Sequence, residues 1–403
     1  YYIVYVCAGI FIFSRWAVPY TMDKLRIKRV FTEHVFLGET VLVKVNWNNS
    51  GRLRLPWVEF TESIPPGLRI GEPVQQVITL AGQQEREFSY QVQAGRRGYY
   101  CIGPLRLTAG DLFGLIVGST GQLKADYLTV YPQIIPLTRL GLPSRLPFGT
   151  ITSRQRLFED PARPMGVRDF NPCDSQRHIN WKASAHSDQL LVKRFQPAIS
   201  LETAVLLNLH KPDYQQQDWQ YRSEWAIVTA ASLATHLIDQ RQPTGLITNG
   251  IDPLRRSDDE AQLQFNEDSG RLMQQEPGDS PTNFMPPPIP PRNGRLQLMK
   301  ILERLARIES DATIPFNQWA VPACLNLSWG VTILAITARG DEATCQTLHR
   351  LVRSGFNPIL IVLEGGQNFG IVRERARRLG FRAYHVSGAS SLDLWRQPKR
   401  QAA

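Results

Sequence analysis

Four short runs in the C-terminal half constrain this chain more than anything else in it. Ala204–Leu209, continuously apolar through Leu207, has the character of a strand buried on both faces, and Gly245–Thr248, Val331–Ile336 and Ile359–Leu363 are further strands. Helical patterns separate these runs. Glu224–Gln240 places Trp225, Val228, Ala231, Leu233 and Ile238 at mixed helical spacings. Arg295–Ile308 sets Leu298, Ile301, Leu302, Leu305 and Ile308 on one face, and Glu342–Val352 is a further helix. An Arg-rich helix at Phe369–Leu379 and a strand at Arg382–Val386 close the series. Strands alternating with helices require a mostly parallel sheet with helices on both faces.

The N-terminal half has a different period. Val41, Val43, Val45 and Trp47 alternate with Leu42, Lys44 and Asn46, a strand with one buried face. The run ends at Asn48-Asn49-Ser50-Gly51, a hairpin signal. Short strand-like runs follow at Trp57–Phe60, Val77–Leu80, Phe88–Val92, Tyr99–Ile102 and Leu128–Tyr131, with Pro- and Gly-containing turns between them. This pattern predicts a small β-sandwich. Asp111-Leu112-Phe113-Gly114 reads as a turn with a buried aromatic.

The first thirteen residues carry no charge and are too few to span a bilayer alone, which takes roughly 20 apolar residues. Arg15, Trp16, Tyr20, Lys24, Arg26, Lys28 and Arg29 follow as an aromatic and basic collar. Such a collar marks a spanning helix meeting a cytoplasmic interface, so the tail end of a transmembrane helix is expected, with the remainder in the cytoplasm at the inner (plasma) membrane. At 403 residues the chain exceeds one hydrophobic core. The expected organisation is membrane helix and collar over 1–24, β-sandwich over 25–132, Pro-rich connector and motif over 133–197, α/β domain over 198–392, and a tail over 393–403. Within the α/β domain, 253–292 is rich in proline and acidic residues and poor in apolar ones. It is expected to be a mobile insertion, with Pro286–Pro291 in polyproline II.

The connector ends in the densest polar motif of the chain. Gly166, Arg168, Asp169, Asp174, Arg177, Trp181 and Lys182 follow the order G-x-R-D-[FY]-x-P-x-D-x-x-R-x-I-x-W-K-x-S-A. Arg–carboxylate pairs are directional, and tryptophan stacks on guanidinium groups. The stretch is therefore read either as a salt-bridged clasp stapling two domains or as a docking surface. Its order resembles the bacterial domain-of-unknown-function family fifty-eight, with Cys173 where glycine is usual and His186 where arginine is usual. The resemblance implies a membrane-anchored protein whose α/β domain is von Willebrand A-like and associates with a MoxR-type AAA+ ATPase. It also implies a non-catalytic scaffold or adaptor for the assembly or maturation of client complexes.

Such domains often hold a metal through D-x-S-x-S after the first strand. Here Asn208, His210 and Pro212 stand at those positions, Lys211 and Arg339 add positive charge, and Asp341 falls late in its loop, so a degenerate site without metal is expected. The sequence contains no G-x-S-x-G, H-E-x-x-H or phosphate-binding glycine motif. No catalytic residue and no cofactor are expected. Five cysteines without a C-x-x-C pair suit a reducing compartment rather than a disulfide framework. The net charge of +10, with Arg154, Arg156, Arg163, Arg168, Lys193 and Arg194, leaves a nucleic-acid-binding protein as the main alternative, although no recognition motif accompanies it. A cell-envelope enzyme with an unrecognised site is the other. The lipid bilayer is the remaining expected partner, and the sequence sets no oligomeric state.

Overall fold

The computed structural model describes residues 1–69, 74–114, 116–119, 124–137, 159–171, 176–187, 189–197, 202–253, 285–364 and 369–386. The chain divides into two compact units. One holds residues 1–133, 251–286 and 299–309, and the other holds 134–250, 287–298 and 310–403.

The first unit begins with helix α1 (Tyr2–Asp23), long and apolar enough to cross a membrane. The helix does not stop at the expected collar. Arg15, Trp16 and Tyr20 lie inside it, and its last turns pack on the strands that follow, burying Ser14, Val18, Thr21 and Met22. Eleven strands come next: β1 (Leu25–Val30), β2 (His34–Phe36), β3 (Thr40–Asn49), β4 (Leu55–Glu62), β5 (Leu68–Arg69), β6 (Gln75–Leu80), β7 (Glu85–Ala94), β8 (Gly98–Ile102), β9 (Leu105–Gly110), β10 (Val117–Ser119) and β11 (Asp126–Tyr131). They form two four-stranded sheets, β1-β3-β7-β5 and β10-β9-β4-β6, and a three-stranded sheet, β2-β11-β8. The alternation of β3 is realised, with Val41, Val43, Val45, Trp47 and Asn49 buried. Trp47 of the first sheet meets Phe60 of the second at 4.9 Å between ring centroids, so the two sheets share one core.

Three expectations in this half are corrected. The turn at Asn48–Gly51 does not make a hairpin, because β3 pairs with β1 and β7 while β4 lies in the other sheet. The buried Asn49 explains the crossing: its amide donates to Leu53 O (2.9 Å) and Ala81 O (3.0 Å) and accepts from Gly51 N (3.0 Å). That side chain ties two turns together where Gly82 leaves no room for a Cβ, which would lie 2.2 Å from Arg52 O. The Asp111–Gly114 turn forms, with Asp111 accepting from Phe113 N and Ile116 N, but Phe113 points to solvent. Arg29 is no collar residue, since it is buried in an ion pair with Glu62.

Helix α4 (Arg295–Arg307) buries Ile301, Leu302 and Leu305 of its predicted face and half-buries Leu298, with Ala306 also buried. Its C-terminal carbonyls, orphaned in any helix, find a cation. Arg97 Nη1 donates to Leu305 O (3.2 Å), Ala306 O (3.1 Å) and Ile308 O (2.8 Å). Charge-assisted bonds of this kind contribute about 1.5–3 kcal/mol, so Arg97→Ala is expected to lose about that much on thermal unfolding of the full chain. A melting temperature unchanged within a degree would refute it.

The second unit opens with a ribbon of β12 (Glu159–Asp169) and β13 (Leu191–Pro197), joined through the short helix α2 (Trp181–Ser184). The remaining strands form one six-stranded sheet: β14 (Thr203–Leu207), β15 (Thr244–Thr248), β16 (Ile289–Arg292), β17 (Thr332–Thr337), β18 (Asn357–Val362) and β19 (Arg382–His385). The order is β16-β15-β14-β17-β18-β19, all parallel neighbours except the antiparallel edge strand β16. Every residue of β14, β15 and β17 is buried, the condition the apolar runs predicted. Helices α3 (Trp219–Asp239), α5 (Phe316–Ala323), α6 (Glu342–Arg353) and α7 (Phe369–Arg378) complete it. Right-handed crossovers in a strand order that reverses at β14 place α3 on one face and α6 and α7 on the other.

Pro286–Pro291 was expected in polyproline II. Instead Ile289–Arg292 pairs along β15, a position that tolerates prolines because an edge strand needs few N–H donors. Gln297 fixes it, donating to Thr244 O and Pro290 O at 2.9 Å each. The rest of the expected insertion, 254–284, most of the Pro-rich connector and the tail lie outside the described residues.

Candidate functional site

The strand order 2-1-3-4-5 of β15, β14, β17, β18 and β19 has its topological switch between β14 and β17. Open α/β sheets bind ligands in the crevice at the carboxyl ends of those strands. Four of these five strands deliver a polar residue at or just past their ends: Asn208 after β14, Asn249 after β15, Thr337 at the end of β17, and Glu364 beyond β18. This repeat of one polar residue per strand end is the signal by which sequence reasoning had access to Asn249 and Glu364, which it passed over.

The polar groups there are mutually engaged. The Asn208 amide donates to Asp213 Oδ2 at 2.7 Å, and its oxygen accepts from His210 N (3.2 Å) and Asn249 Nδ2 (2.8 Å). Asn249 also accepts from Leu209 N (2.7 Å) and donates to Ile314 O (3.0 Å). The Tyr214 hydroxyl donates to Asn208 O at 2.5 Å. Burial first, then the Asp213 and Glu364 carboxylates, push that hydroxyl far above the phenol range, so it stays a donor. Pro212 lies in a 3-10 turn over Lys211–Asp213. His210 is buried, and its Nδ1 has no hydrogen-bond partner among the described residues.

The positions of the D-x-S-x-S pattern carry no carboxylate, and the fold brings two to this edge from elsewhere. Asp213 faces Asn208, and Glu364 binds Arg339 Nε at 3.0 Å and accepts from Gln215 N at 3.2 Å. Asp341, by contrast, N-caps α6 through Thr344 N at 2.9 Å. Lys211 lies over the Trp219 ring at 4.3 Å. Among the described residues, no three of His, Cys, Asp and Glu converge in a way that would hold a metal.

The motif residues lie elsewhere in the same unit, on the ribbon. Gly166 pairs with Arg194, Val167 with Lys193, Arg168 with Val192 and Asp169 with Leu191. Gly166 has φ +155° with open space around a Cβ, so the backbone and not crowding requires glycine there. A 3-10 turn over Gln176–His178 carries Arg177, and Asn180 caps α2 by accepting from Ala183 N at 3.3 Å. Ile179 and Val192 are buried, whereas Arg168, Asp169, Arg177, Trp181 and Lys182 are exposed. Arg168 Nη1 donates to the Asp169 carbonyl at 3.3 Å. Trp181 is 67% exposed. Asp174, Cys173 and Gly365-Gly366 lie outside the described residues, as do the side chains of Arg154, Arg156, Arg163 and Arg194.

A doubly wound α/β unit with an exposed polar ribbon at its start is thus the class of protein that this geometry defines. Residues 166–286 match the family model described as "Protein of unknown function DUF58", the family that the motif resembles. The "Uncharacterized protein YeaD" of Bacillus subtilis (strain 168) is 23% identical over 180 residues, which cover 44% of this chain. That match spans 45% of the relative's own length. Among solved structures, the CARDB domain of the PF1109 protein from Pyrococcus furiosus, in complex with di-metal ions, is 14% identical. It covers 26% of this chain and 91% of its own, with a TM-score of 0.20. The cupredoxin domain of amoB from Nitrosocaldus yellowstonii is 12% identical and covers 26% of this chain and 86% of its own, with a TM-score of 0.19. Similarity at these scores carries no argument about the fold.

Proposed function

We propose that this protein is a non-catalytic adaptor anchored in the inner membrane by α1. Its α/β unit, von Willebrand A-like by the resemblance, engages a MoxR-type AAA+ ATPase on the cytoplasmic side for the assembly or maturation of client complexes. The observation that carries the reading is the exposure of the motif. Exposed ion pairs contribute about 0–1 kcal/mol, too little to explain so dense a polar set as a staple. An exposed tryptophan, with Val167, Leu190, Arg168 and Lys182 also exposed in the same ribbon and its short helix, is the composition of a protein-binding hot spot. The engaged polar network at the strand ends supports a structural crevice rather than a reacting one.

The test is binding of the full chain, in mild detergent, to a purified MoxR-type ATPase with ATP. Trp181→Ala or Arg168→Ala is expected to weaken capture at least tenfold, which is about 1.4 kcal/mol, with an unchanged melting temperature. Unchanged affinity in both variants, or a lowered melting temperature with intact affinity, defeats the reading.

A further inference from the structure

Beyond α1, the turn Leu112–Phe113 exposes two large apolar side chains side by side, at 79% and 67%. It does so against α1. A groove of about 350 Å³ is lined on one side by Gly9, Ile10, Phe13 and Ser14 and on the other by Leu112, Phe113 and Arg54. Ser14 Oγ in its lining donates to Asp111 Oδ2 at 3.4 Å, and the Asp111 carboxylate otherwise accepts from its own turn.

The level of the turn along the helix decides what covers it. Leu112 and Phe113 share the groove with Gly9, Ile10 and Phe13, which precede the first charged residue, Arg15, and their turn is tied to the helix at Ser14 through Asp111. At 1.5 Å per residue, Gly9–Ser14 lies about 14–21 Å before the end of α1 at Asp23. Ile12 and Trp16 are exposed on the same turns. When the uncharged part of α1 is in hydrocarbon, the tip of the β-rich unit is carried to the acyl boundary with it. Lys24 and Leu25 join α1 to β1 directly, and Val18 and Met22 are locked in the core, so no linker lets the unit swing away.

We infer that the groove between α1 and the Leu112–Phe113 turn is a lipid site of the bilayer itself. An acyl chain lies along Ile10 and Phe13, and the phosphate of an anionic headgroup pairs with Arg54 at the rim. The inference rests on the membrane-anchored reading of α1 and adds that the β-rich unit is partly inserted. Covering an exposed leucine or phenylalanine with hydrocarbon is favourable in the same sense as burying it in a core, and a basic side chain at the rim suits an anionic lipid surface.

The experiment places p-benzoylphenylalanine, a photoreactive residue, at three sites of the full chain reconstituted in vesicles of phosphatidylcholine and phosphatidylglycerol. Phe113 is the tip, Ile12 the helix, and Val77 an exposed residue on β6, at the far edge of the sheet from β10. After irradiation, lipid adducts are expected at 113 and 12 and not at 77. Arg54→Glu is expected to lower the phosphatidylglycerol share of the adducts at 113 at least twofold. Adducts at 12 without adducts at 113 overturn the lipid site and leave the anchor standing. No adducts at either overturn both. Adducts at 77 equal to those at 113, or a phosphatidylglycerol share indifferent to Arg54→Glu, overturn the site as drawn.

Discussion

Arg29→Ala is expected to cost the β-rich unit about 3–5 kcal/mol, the loss typical of breaking a buried ion pair from one side. Arg29 on β1 binds Glu62 on β4, Asp126 on β11 at 2.5 Å and Lys124 O at 3.3 Å, so one guanidinium joins all three sheets. Tyr90 donates to the other oxygen of Glu62. Burial works against the guanidinium, and the Glu62 and Asp126 carboxylates more than offset it, so its pKa is raised. Burial and then Glu62 hold the Tyr90 hydroxyl far above the phenol range, which keeps it a donor. Without Arg29, the Glu62 carboxylate, fully buried in its side chain, keeps only the neutral Tyr90 hydroxyl among the described residues. The melting transition of the full chain in detergent is expected to fall by on the order of 10 °C. The double variant Arg29→Met, Glu62→Leu is expected to recover most of it, because apolar replacement of a buried pair is close to neutral. A loss under about 1 kcal/mol, or a double variant as unstable as the single one, contradicts this account.

Asn249→Ala is the second large effect, at about 2–4 kcal/mol, because more than one buried group loses its partner at about 1–3 kcal/mol each. Leu209 N–H, Asn208 Oδ1 and Ile314 C=O all bond to this one fully buried amide. The loss is expected to be local before it is global. Hydrogen exchange at Leu209 should accelerate by more than tenfold while β3 in the other unit keeps its protection. Asn249→Asp keeps the acceptor for Leu209 N but sets a carboxylate against two oxygens, and should be no better than alanine. A stability loss below about 0.5 kcal/mol, or unchanged exchange at Leu209, shows that the network does not hold the strand ends together.

Much of the fold is legible in the residues, and where it fails the failures share a cause. The parallel strands are legible because strands buried on both faces read as short apolar runs, and β14, β15 and β17 bury every position with threonine confined to their ends. Helix α4 and the strand β3 are legible from their periods for the same reason: one buried face leaves a periodic trace. The edge strand Ile289–Arg292 leaves none, since its two prolines argue against a strand until a partner, β15, is present to supply an edge. The turn at Asn48–Gly51 carries hairpin chemistry but obeys Asn49, whose partners Leu53 and Ala81 belong to two different turns. The motif Gly166–Lys182 was legible as a family mark. Whether it staples or presents depends on its exposure, which no spacing reports.

The sequence by itself determined the elements and their class, because local periodicity records which face of each segment avoids water. Only the tertiary structure decided the partners of the polar groups. Arg29 reads as one more cation of a basic collar, and it becomes the centre of the β-rich unit because Glu62 and Asp126, 33 and 97 positions away, fold against it. Phe113 reads as a buried aromatic, and it stands 67% exposed on a turn that shares a groove with α1. Electrostatic and apolar contacts act over a few ångströms, and sequence distance does not measure them.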